Sequence, residues 1–223
     1  MKKKYFVLAA IFLFNPIISI IDILPDFLGY YFLMRAFTPT SYIFDNASDA
    51  HGAIKRMVTV SSIKFFSVFL LFVTDTTMAL VLSFTFAILE ILYGIGAFTK
   101  IFDSTSYMRL RYDDEVTTAK AEKIKVFSIV FLVAKVVLAS LPDFTALTTG
   151  NSNLSTDLTR FRPILFIASA IIALIIGIIW FVRFTGFFKE ILSETLINKI
   201  ETEYNEQKTL APVFSMPRTL CLP

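Results

Sequence analysis

Apolar residues gather in long runs separated by short polar breaks, at about 5–21, 23–37, 58–74, 78–98, 126–142 and 164–184. A helix needs about 17–25 apolar residues to cross a hydrocarbon layer about 30 Å thick, and most of these runs have that length. They are apolar on every side rather than alternating, which predicts membrane helices and not barrel strands. The run 23–37 is the exception, since as a helix it reaches only about 22 Å. After the last run, Phe188, Ile191, Leu192, Leu196, Ile200 and Tyr204 recur at helical spacing between charged residues. That pattern predicts an amphipathic helix over 185–208. Three assignments fit it: on the inner membrane surface, against a partner or second copy, or on the protein's own loops.

The expected fold is therefore an all-α membrane bundle of six spans within residues 1–184, the second short or broken. Composition supports this: the 223-residue chain is 56% hydrophobic, carries 25 phenylalanines and has a mean hydropathy of +0.70. A soluble domain of this size has too little interior for so much apolar surface. Residues 209–223 change character, with three prolines and no periodicity, and read as a disordered or aberrant tail.

Charge orients the bundle. Lys2, Lys3 and Lys4 precede the first run, and six Lys/Arg fall in 99–125. If 23–37 counts as a span, Arg35, Lys55, Arg56 and that whole loop face the cytoplasm, as the positive-inside rule requires. Both termini are then cytoplasmic. The first run is read as an uncleaved anchor, because Pro16 and Asp22 stand where a signal peptide would have small residues. The hairpin of the first two runs turns on the outer side at Asp22-Ile-Leu-Pro-Asp26. The 143–163 stretch is polar, turn-rich and external, with Arg160 and Arg162 a mild exception. Asp113, Asp114 and Glu115 before Lys120, Lys123 and Lys125 suit the dipole of a short helix leading into the fifth span.

Three ionisable residues interrupt the spans: Lys64, Glu90 and Lys135. Each costs a few kcal/mol to insert, so each needs a partner or a task. Counted from the inner ends of their spans they lie at about 9, 12 and 14 Å, one shared depth. This predicts a Glu90–Lys64 or Glu90–Lys135 ion pair, serving either helix register or a proton or ion path. Asp22, Asp26, Asp75 and Asp143 are expected on the outer face, as helix caps, as a cation site, or as a carboxylate dyad of Asp26 and Asp143. Leu24-Pro25-Asp26-Phe27 recurs as Leu141-Pro142-Asp143-Phe144. At both places proline is expected to end one helix and aspartate to cap the next.

Other chemistry is sparse. The single histidine, His51, rules out a multi-histidine metal site within one chain, and the single Cys221 rules out a disulfide framework. No cofactor is expected, no glycine-rich phosphate loop occurs, and a net charge of +3 gives no reason to expect nucleic acid.

The stretch Phe14-Asn15-Pro16-Ile17-Ile18-Ser19-Ile20-Ile21-Asp22-Ile23-Leu24-Pro25-Asp26-Phe27-Leu28-Gly29-Tyr30 resembles the start of a group of uncharacterised multi-pass membrane proteins of Gram-positive, clostridia-like bacteria. Its core, Asp-Ile-Leu-Pro-Asp-Phe, is also similar to the signature of a small bacterial domain of unknown function. The resemblance implies a bacterial plasma-membrane protein and brings no activity with it. Three functions follow from the sequence: a non-enzymatic scaffold or regulatory component, a small transporter or channel on Lys64, Glu90 and Lys135, or an aspartic-type intramembrane enzyme.

Overall fold

A computed structural model describes residues 3–14, 17–18, 21–22, 25–67, 69, 76–112, 116–148 and 155–210. Among the described residues seven helices follow one another: α1 (Lys3–Leu13), α2 (Asp26–Ser41), α3 (Asp45–Ser67), α4 (Thr76–Tyr112), α5 (Val116–Thr148), α6 (Ser155–Ile191) and α7 (Glu194–Leu210). Between α1 and α2 lie two short strands, β1 (Ile17–Ile18) and β2 (Ile21–Asp22), paired antiparallel. Each of α1 to α6 packs on the next, and α1 also packs on α6, so the six close into a ring.

Among the described residues three helical stretches are long and apolar enough to cross a membrane: Leu80–Arg111, Ala119–Leu141 and Pro163–Ile191. Their outer surfaces are rich in bare apolar side chains, including Val81, Ile88, Val130, Val137, Ile171, Ile175 and Val182. Water would not tolerate such a surface and lipid would, so the chain is an all-α protein with at least three membrane-competent helices.

The ends of the helices differ from the expected spans. The first run stops being helical at Leu13, just before Asn15-Pro16, leaving α1 with 11 residues, and α2 has 16. Neither reaches across a hydrocarbon layer, which needs about 20. Ile17, Ile18 and Ile21 of the first run lie in the β1–β2 pair instead. Apolar composition alone does not distinguish the two, because a buried strand pair is as apolar as a helix.

Conversely, α3 to α6 run on past their apolar parts. The expected 99–125 loop is a continuation of α4 to Tyr112 and a start of α5 at Val116. Ala97, Phe98, Ile101, Phe102, Thr105 and Met108 are all buried, a stripe at helical spacing that carries α4 onward. In α3 the corresponding stripe is Ala47, Ala50, Ala53, Ile54 and Met57. Polar residues on the opposite faces let these extensions stand in water. Ion pairs join them: Lys100 to Asp49 at 3.4 Å and Lys125 to Asp103 at 3.0 Å, with Lys125 also paired to Glu122 of its own helix at 2.6 Å.

The amphipathic stripe after residue 185 is shared between two helices. α6 ends at Ile191, and Ser193 caps α7 by accepting the Leu196 N–H at 3.2 Å. Leu196 and Ile200 are buried within the chain itself, Tyr204 packs edge-on against Tyr42, and Glu203 reaches Arg111 at 3.9 Å. Of the three expected settings for this helix, its apolar face therefore takes the one on the protein's own body. Residues 211–223, Asp75 and Asp113–Glu115 lie outside the described residues.

The half-buried His51 in the polar part of α3 gives this region a pH dependence. Burial holds its pKa below 6.5, and Lys55 pushes the same way. The folded state therefore favours neutral imidazole. Its contribution is intact above the unfolded value and is lost as pH falls below it. Thermal unfolding should shift to lower temperature between about pH 7.5 and about pH 5.5, and His51→Gln should remove that part of the shift. An unchanged pH profile in the variant would assign the effect to other groups.

Candidate functional site: a buried charge cluster

Close approach of the helices builds the site. A side chain at Gly29 would meet Leu13 at 2.7 Å and the Ala9 carbonyl at 3.2 Å, so glycine lets α2 lie directly on α1. Gly94 does the same for α4 against Leu132 of α5. These contacts bring α1, α2, α3, α4 and α5 together around four charged side chains.

Lys64 of α3 donates to Glu90 Oε2 of α4 at 2.9 Å. Lys135 of α5 donates to Asp26 Oδ1 at 3.0 Å and Oδ2 at 2.9 Å, and to the Leu13 carbonyl at 3.1 Å. An ammonium has three protons, and Lys135 is given three acceptors. The Leu13 carbonyl closes the C-terminal end of α1, where the helix dipole is negative and favours a cation. The Glu90 carboxyl also interacts with Lys135 and Asp26, so the two pairs form one cluster of two ammonium and two carboxyl groups. All four are buried: Asp26 is 2% exposed, Glu90 2%, Lys64 4% and Lys135 5%. Charges this far from water persist only when paired.

Lys64, Glu90 and Lys135 thus meet, and the partner of Lys135 is Asp26. Asp26 had been expected on the outer face, as a cap. In the structure Pro25 occupies the cap position of α2 without a side-chain cap, and Asp26 is the first helical residue. Its carboxylate points inward because the nearest unmatched charge is Lys135. Pro142 and Asp143 differ again, for α5 continues through them to Thr148. The repeated tetrapeptide therefore occupies two unlike settings, one at a helix start and one inside a helix. The side chains of Asp22 and Asp143 lie outside the described residues, as does all of Asp75.

Counted from the nearest basic residue, the four charges lie at similar depth, which does not by itself choose a partner for Lys135. Arg35 follows Asp26 by 9 residues and Lys125 precedes Lys135 by 10. The same count holds around the ring. Lys4 stands 9 residues before Leu13, Arg56 8 before Lys64, and Lys100 10 after Glu90. On α6 the level is set by Trp180, whose indole donates to Ser128 of α5 at 3.0 Å, with Arg183 one turn further. Each of the six helices therefore carries a basic residue about 12–15 Å from the cluster along its axis.

Around that basic level lies an aromatic core. Trp180 is fully buried, stacked on Phe131 at 4.5 Å and flanked by Phe184 at 4.7 Å. Phe6 stacks on Phe188 at 4.1 Å, tying α1 to α6. In the sequence Trp180 looks isolated, since its partners come from three separate helices. An apolar groove of about 180 Å³ between α4 and α5 is lined by Phe84, Ile88, Ile91, Val136, Val137 and Leu141. None of the four charges lines it. Among the described residues no three His, Cys, Asp or Glu side chains are grouped as a metal site would require.

Fold and site define the class: an all-α helical bundle with membrane-competent helices and a buried cluster of paired ionisable groups. No protein-family model, curated protein or solved structure matches the chain.

Proposed function

We propose that this is a non-enzymatic component of a bacterial plasma membrane, a scaffold or regulatory subunit whose working surface is cytoplasmic. The observation that carries this reading is the internal matching of the cluster, in which every buried charge already has its partner. Paired in this way, the charges fix which helices neighbour one another. The polar extensions of α3, α4 and α5, with α7 packed on α2 and joined to α4 through Glu203 and Arg111, supply the surface for another macromolecule. In this reading both termini are cytoplasmic, and the basic level marks the inner edge of the bilayer. The cluster then sits near the midplane, about half of a 30 Å hydrocarbon layer away.

In that frame α1 and α2 form a hairpin that enters from the cytoplasmic side and returns at half depth. α4, α5 and α6 cross the full layer, and the described part of α3 ends at Ser67, just past the cluster. The hairpin replaces two of the six complete spans and leaves the positive-inside count unchanged.

One observation favours a second reading, a small transporter. Two half-length helices end at an ionic centre near mid-bilayer, the arrangement that discontinuous helices give to many transporter sites. Proteoliposomes under a pH or cation gradient separate the two, with Glu90→Gln as comparison. The expected result is leakage equal to that of empty vesicles for both proteins. A flux in the native protein that Glu90→Gln removes, with the variant still folded, would overturn the scaffold reading. In cells, a photo-crosslinker at exposed Lys55 or Asn198 should give discrete adducts that one at lipid-facing Ile172 does not. Identical adducts at all three positions would speak against a dedicated cytoplasmic surface.

A further inference from the structure

The basic level is not chemically uniform around the ring. Lys100 is paired with Asp49 of α3, and Lys125 with Asp103 of α4 and Glu122 of its own helix. On the seam between α1 and α2 the situation is different. Exposed Lys4 lies over the Tyr5 ring, 5.7 Å from its centre, and exposed Arg35 lies over the Tyr31 ring at 5.5 Å. The Arg35 Nε also donates to the Tyr31 hydroxyl at 3.0 Å, which fixes the guanidinium and leaves its remaining N–H groups directed outward. Arg35 interacts with Tyr5 as well, so the two cations and two tyrosines form one patch. Among the described residues no carboxylate pairs with either cation.

Toward the cluster from this patch the surface becomes purely apolar. Tyr5 stacks on Phe32 at 6.2 Å, and Phe32 meets Phe12 at 5.7 Å, forming a half-exposed aromatic strip up the same seam. Two cations at a membrane edge with an apolar strip running inward match a molecule that has an anionic head and an acyl chain.

The geometry points to a binding site for one anionic phospholipid on the α1–α2 seam, its phosphate held by Lys4 and Arg35 and its chain laid along Phe32 and Phe12. Tyrosine hydroxyls at this level complete the headgroup contacts, as aromatic residues do at membrane interfaces. Arginine offers the paired donors that suit a phosphate, and lysine adds a point charge. The site lies on the half-length hairpin, so an occupying lipid would also cover the seam by which α1 and α2 meet the bilayer.

The test uses the full chain in nanodiscs of phosphatidylcholine with and without phosphatidylglycerol. Lipid retention is read by native mass spectrometry and protein stability by thermal unfolding. Phosphatidylglycerol should be retained in preference and should raise Tm. The double variant Lys4→Gln/Arg35→Gln should lower that preference about tenfold or more. Retention of phosphatidylcholine should not change, which reports that the variant is folded. The control Arg56→Gln/Arg183→Gln removes the same charge from the same level and should leave the preference within about twofold. Equal losses in both double variants would show a diffuse surface effect and overturn the site. Competition by millimolar inorganic phosphate would show that a bare phosphate suffices, and would overturn the lipid assignment too.

Discussion

Lys135→Met is expected to be the most damaging single substitution in this protein. Methionine fills similar space but supplies no donor. Asp26 would be left without its cation in a site 2% exposed, beside Glu90, and the Leu13 carbonyl would lose its donor. Removing one partner of a buried pair costs about 3–5 kcal/mol, because the other is left buried and uncompensated. Expression and thermal unfolding in detergent should both fall sharply. The double variant Lys135→Met/Asp26→Leu is the informative companion. Apolar side chains in place of a whole pair are often neutral in energy, so it should recover most of the loss. If Lys135→Met matches the native protein in stability, the cluster is not holding the hairpin. If the double variant is worse than the single, the charges do something beyond matching each other.

Trp180→Ala is expected to have the second largest effect. The indole is fully buried, stacks on Phe131, touches Phe184 and Phe98, and donates its N–H to Ser128. Truncating a buried Trp to Ala typically costs about 3–5 kcal/mol in a soluble core, part of it from transfer out of water. In a lipid-embedded bundle that part shrinks while lost packing and the cavity remain, so a loss of about 3 kcal/mol is expected. Trp180→Phe should restore most of the packing, leaving the Ser128 hydroxyl without its donor. Thermal unfolding of the two variants side by side checks this. A loss no greater for alanine than for phenylalanine would show that Trp180 is not the centre of the core.

Both effects depend on contacts the sequence announces unequally. Lys64 and Glu90 are legible as partners because they sit at equal depth on helices adjacent in the chain. Asp26 is not, because in the sequence it lies in a Pro-Asp pair that looks like a turn and a cap. Only the early end of α1 brings it to the level of Lys135. Trp180 is invisible in the same way, since a buried aromatic and a lipid-facing one carry the same hydropathy. The helical extensions were within reach: alanines 47, 50 and 53 and the stripe from Phe98 to Met108 repeat at helical spacing. Their charged neighbours concealed it, because charge density resembles a loop when hydropathy alone is followed.

The sequence by itself determined the all-α class, the apolar helices, the level of the basic residues and the need for ionic partners inside the bundle. These follow from composition and periodicity, which act locally along the chain and need no knowledge of neighbours. Tertiary structure alone decided where the first apolar run stops being a helix, which carboxylate answers Lys135, and which surface receives the apolar face of α7. An apolar segment in an apolar surrounding gains little from one placement over another. The choice falls to the few polar groups that must find partners and to the glycines that let helices close around them.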